Sequence, residues 1–140
     1  MRQSAWLNAV VEKPKHDSSD SPRLSRLAVS KKMRGDDFAP DMPPVEGAAY
    51  LLGYLFELGP TVTAGGYPGP IEWPHIDAWC NRIGIDLQPW ESRMLRRLSH
   101  DYLAETYRAE KFGAQAPWRP DGAKPEVTAT QASLRALARG

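Results

Sequence analysis

Apolar positions in this chain gather between Met42 and Trp118, in three segments that each begin near a proline. They read MPPVEGAAYLLGYLFELGP, IEWPHIDAWCNRIGI and LQPWESRMLRRLSHDYLAE. In the first, Val45, Ala48, Ala49, Leu52, Leu55 and Phe56 share one helical face, while Tyr50, Leu51, Tyr54 and Leu58 cover much of the rest. A helix apolar nearly all round is usually central, so a buried helix from Pro44 to about Leu58 is predicted. Gly59-Pro60 stops it. The second helix starts near Trp73-Pro74, because proline suits a first turn whose N–H groups have no intrahelical partner. Ile76, Trp79, Cys80 and Ile83 follow at i, i+3, i+4 and i+7, a buried stripe, and Gly84 is the stop. The third runs from Pro89 to about Phe112. Trp90, Met94, Leu95, Leu98 and Tyr102 lie on one arc, with Arg93, Arg96, Arg97 and His100 opposite.

Outside these segments the pattern weakens. Ser4 is a candidate cap for a short helix over 4–12 that Pro14 would stop. A helix this short needs a partner surface to persist in water. From Lys13 to Met42 the chain is polar, and Leu24, Leu27 and Val29 are too few for a core, so this stretch reads as mostly disordered. Thr61 to Pro70, with Gly65-Gly66, reads as a loop. It lacks the Gly-Lys-Ser/Thr ending of a phosphate-cradling loop. Beyond Arg119 a Pro/Gly/Lys linker leads to a short amphipathic helix from about Thr130 to Arg139. The fold expected is mainly α, a three-helix core with extended, partly disordered flanks. Its divisions are a flexible basic segment at 1–40, a helical domain at 41–118, and a linker with a short helix at 119–140.

Composition alters this picture little, but charge distribution alters it more. Hydrophobic residues at 41% and charged residues at 25% are ordinary for a soluble protein. No stretch approaches the ~18 apolar residues of a membrane span, and Asn8, Glu12 and Lys13 break any secretory leader, so a cytoplasmic setting is expected. The formal net charge is +1, yet residues 1–40 and 88–140 each carry +3 while 41–87 carry −5. The acidic middle argues against a nucleic-acid surface there.

A reaction needs convergent His, Asp, Glu, Cys or Ser. His75 and Asp77, at i and i+2, point to different helix faces. Cys80, the sole cysteine, excludes an intrachain disulfide and a multi-cysteine zinc site, and its place in the apolar stripe makes it a small core residue. No catalytic residues, metal site or cofactor are expected. What remains is binding. Trp73 and Trp118 stand at the edges of the helical unit, where aromatic residues carry interface energy. Arg93, Arg96 and Arg97 form the one basic stripe. These five residues are the candidate partner-binding set. The stripe also permits a helix-turn-helix reading as a small DNA-binding regulator, which Glu91, Asp101, Glu105 and Glu110 on the same helix weaken.

The blocks MPPVEGAAYLLGYLFELGPTVTAGG, GPIEW, IDLQPWESRMLRRLSHDYLAE and APW resemble small proteins of tailed-phage and prophage tail operons, encoded beside the tape-measure gene, of the tail-assembly chaperone type. The resemblance covers roughly Pro40 to Trp118. It implies a non-catalytic protein of the host cytoplasm that binds the tape-measure protein during tail morphogenesis and helps recruit tail-tube subunits, with oligomerisation open. A tail-completion type of structural component, resident in the virion tail, is the alternative role.

Overall fold

The computed structural model describes residues 1–13 and 22–120. Among these residues there are five helices and one β-hairpin rather than the three helices expected. In chain order they are α1 (Arg2–Asn8), α2 (Arg26–Arg34), α3 (Ala49–Leu58), β1 (Val62–Ala64), β2 (Tyr67–Gly69), α4 (Trp73–Ile83) and α5 (Pro89–Glu110). The Thr130–Arg139 helix falls outside the described residues.

The organising element is α5, 22 residues and so roughly 33 Å long. Pro89 fits its first turn, and the Glu91 carboxylate accepts the Gln88 backbone N–H at 2.7 Å, satisfying a donor at the helix start. The buried positions of α5 are Leu95, Ser99, Glu105 and Ala109, with Glu91, Leu98 and Tyr102 half-buried between them. The N-terminal half of α5 meets α3 and its C-terminal half meets α1.

The first half builds the main core. Leu51 and Leu55 of α3, Ile71, Ile76 of α4 and Leu95 are fully buried, and Cys80, Leu87 and Leu98 pack around them. Each such side chain contributes about 1.5–3 kcal/mol by leaving water. The second half carries a separate cluster of Trp6, Leu7, Ala9 and Ala109, joined by Leu27 and Ala116. Here the N-terminal segment departs from the reading of a polar, core-less flank. Ser25 caps α2 by accepting the Ala28 N–H at 3.3 Å, and Leu27 packs on the second cluster. The Glu12 N–H donates to Glu110 O at 2.8 Å, tying the residues after α1 to the end of α5. The Glu12–Glu110 bond joins residues nearly one hundred positions apart, so local periodicity does not announce it.

Two further differences have local causes. The α3 helix begins at Ala49 rather than Pro44, because Gly47 adopts a φ of +75°, outside the right-handed helical range. It is also not central: Leu51 and Leu55 are buried, but Tyr50 and Phe56 are more than 40% exposed. The segment read as a loop is a hairpin in which Val62, Thr63 and Ala64 face Gly69, Pro68 and Tyr67. Gly65 and Gly66 both have positive φ, as a two-residue hairpin turn of matching twist requires. The α4 helix ends at Gly84, whose left-handed conformation lets the Gly84 and Ile85 N–H groups both bond Cys80 O.

Candidate partner-binding surface

The junction of α4, α5 and the hairpin is built from polar contacts. Ser99 of α5 is fully buried. Its hydroxyl donates to Pro60 O and accepts the Ile71 N–H, both at 2.8 Å, so one side chain clamps both ends of the hairpin segment to α5. Tyr107 adds a bond from its hydroxyl to Pro68 O at 3.3 Å.

This clamp places Glu72 and Trp73 beside Arg96. The Arg96 guanidinium donates to the Glu72 carboxylate through Nε and Nη2, both at 2.8 Å, and lies 5.2 Å from the Trp73 ring centre. The hydrogen bond from Arg96 holds the Glu72 carboxyl below the usual carboxylate range. Trp73 remains 42% exposed, with a cation fixed over its ring. His75 is a capping residue of α4: its Nδ1 accepts the Glu72 N–H at 3.0 Å.

The five candidate residues therefore divide. Trp73 and Arg96 are brought together, and Arg93 and Arg97 lie exposed on the same helix as Arg96. Trp118 is placed elsewhere: half-buried past the far end of α5, it lines a cleft with Trp6 and Phe38. The arc expected to bury Trp90 and Met94 does not bury them. They are 47% and 37% exposed, because α3 covers only the stripe through Glu91, Leu95 and Leu98. They add apolar surface beside Arg93 and Arg97 on α5.

A second aromatic run crosses from α3 to α4. Tyr50 and Tyr54 meet edge-on with ring centres 5.6 Å apart, and Tyr54 meets Trp79 at 5.2 Å. The Tyr50 hydroxyl donates to Glu91, which raises the phenol pKa and lowers that of the Glu91 carboxyl. Sequence reasoning missed Glu72, Ser99 and Tyr50 as positioning residues, because their partners are 24 to 41 positions away. Glu72 at a helix start, directly before an exposed tryptophan, was the one local signal.

Cys80 is half-buried among core residues, and burial pushes its thiol pKa up, away from the thiolate a nucleophile needs. Among the described residues no group of three or more His, Cys, Asp or Glu is placed to hold a metal ion. Also among them, no helix is long and apolar enough to cross a membrane.

Residues 31–104, just over half the chain, match the family model described as phage tail assembly chaperone. The chain belongs to that family. The matched block runs from within α2 through the main core to Ala104 of α5. It includes Trp73, Arg93, Arg96 and Arg97 and excludes α1 and Trp118. No curated protein and no solved structure matches the chain. Tail assembly chaperone membership thus coincides with the half of the molecule that carries the Trp73–Arg96 pair and the exposed α5 face.

Proposed function

We propose that this chaperone binds the tape-measure protein non-catalytically in the host cytoplasm while the phage tail is assembled, with the tail-tube protein as a second partner. The observation that carries the reading is the apolar and basic surface inside the family block. Trp73 is held under Arg96, while Trp90 and Met94 lie exposed beside Arg93 and Arg97. Large rings fixed in place bury area at small entropic cost, and arginines around them favour an acidic-flanked apolar stripe on a partner helix. Arg96 is committed to Glu72, which removes one arginine from any phosphate-binding face and disfavours the DNA-binding reading.

The reading is tested by co-purifying tagged chaperone with the tape-measure protein of the same phage. Wild type retains the partner. Trp73→Ala combined with Arg93→Glu and Arg97→Glu lowers retention at least about tenfold, the loss expected when an interface loses a central aromatic and two matching charges. Equal retention by wild type and this folded triple variant would remove the proposed face.

A further inference from the structure

One stripe of α5 is left open to solvent. It runs through Trp90, Met94, Arg97, Asp101, Ala104 and Arg108, at alternate steps of four and three, the spacing of a helix–helix seam. Asp101 is half-buried and the other five are exposed. The two central charges are uncommitted. Among the described residues neither Arg97 nor Asp101 is in an ion pair, although they stand about one turn apart. Arg108 bonds Glu105 and Gln115 O, yet its side chain is still 45% exposed. The stripe also reads alike from either end. Turned end for end about the level of residue 99, position 90 meets 108, 94 meets 104 and 97 meets 101. Each meeting joins unlike partners: an aromatic ring with a cation, a long apolar side chain with a small one, and a base with an acid.

We propose that this stripe docks a second copy of this chain, with the two α5 helices antiparallel across a two-fold axis level with residue 99. A two-fold interface uses the same patch on both copies, so each contact is made twice. Arg97 of each copy pairs with Asp101 of the other. Met94 packs over Ala104 of the other copy, the large-on-small arrangement that lets two helices close. Trp90 lies over the Arg108 guanidinium of the other copy. A parallel pairing would set Arg97 against Arg97 and Asp101 against Asp101, and like charges oppose it. From 90 to 108 the helix rises about 27 Å, a small contact that suits a reversible dimer rather than an obligate one. The pairing covers Trp90, Met94 and Arg97, so a tape-measure helix bound there displaces the second copy. It does not rest on that reading, because the dimer forms in the chain alone.

The test is sedimentation equilibrium of the full chain, without any partner, from roughly 1 μM to 1 mM, the span over which a small interface fills. The wild type is expected to rise from the mass of one chain toward that of two. Arg97→Asp makes the centre of the stripe wholly acidic and Asp101→Arg makes it wholly basic. Each alone should weaken association at least about tenfold, because it creates two like-charge contacts per dimer. Mixed in equal amounts, the two variants pair acid with base at both contacts and should recover the wild-type dimer. Loss in each variant with recovery in the mixture is expected only where 97 faces 101. Trp90→Ala, an exposed position away from these charges, should weaken the dimer as well. Three outcomes overturn the proposal. They are a wild type that keeps the mass of one chain throughout, Trp90→Ala or charge variants that associate as tightly as wild type, or a mixture of folded charge variants that fails to recover the dimer.

Discussion

Ser99 shows how much one small side chain decides at the residue scale. It satisfies a carbonyl and an N–H that sit in the buried junction between hairpin and α5. Ser99→Ala removes one hydroxyl and orphans both groups, so a loss of about 2 kcal/mol is expected. Urea unfolding measures it as a lower midpoint at unchanged slope. Arg96 is a different case. Its pair with Glu72 is part-exposed, so Arg96→Ala should leave the melting temperature nearly unchanged. It should nevertheless weaken partner retention, because Trp73 loses the cation that fixes its ring. A change in retention without a change in melting temperature separates a positioning residue from a structural one.

At the scale of elements, what could be read in advance follows from where each element's stabilising contacts lie. The α4 and α5 helices begin at proline first turns and α4 stops at Gly84, all local chemistry, and their bounds were legible. The start of α3 was not, because nothing but its backbone angle distinguishes Gly47 as a break. The hairpin was hidden by its brevity, although a Gly-Gly pair between short segments is a hairpin signal. The α1 helix was foreseen as short and partner-dependent, over 4–12 with Ser4 as its cap, but it runs Arg2–Asn8 from Met1, and its partner, the far half of α5, is reached only through the tertiary fold. Trp6→Ala should therefore release α1 while α3 to α5 persist. Hydrogen exchange should show α1 amides losing protection with little change in α5 residues near Leu95.

Element junctions also set a pH response. The Glu91 carboxyl is held low by Tyr50 and the Gln88 N–H. A carboxyl with a depressed folded pKa binds fewer protons folded than unfolded. Its contribution is full above the unfolded value of about 4.3 and is lost as pH falls through the lower folded value. Melting temperature should accordingly fall below about pH 4, and Glu91→Gln should flatten the fall. An acid limb identical to wild type in that variant would contradict this assignment.

Seen whole, the molecule joins a core shared with its family to an N-terminal layer outside the matched block. Charge divides the chain differently, with an acidic middle at 41–87 between basic ends. The family blocks were legible in the sequence. The pairing of Trp73 with Arg96, the exposure of Trp90 and Met94, and the separate location of Trp118 required the fold. The central claim is that this chaperone keeps the tape-measure protein in solution through the α4–α5 face. The most direct measurement is the soluble fraction of co-expressed tape-measure protein without the chain, with wild type, and with the Trp73→Ala, Arg93→Glu, Arg97→Glu variant. The account predicts a large soluble fraction with wild type alone, and a fraction near the chain-free level with the variant. Tape-measure protein equally insoluble with and without the wild-type chain would contradict it.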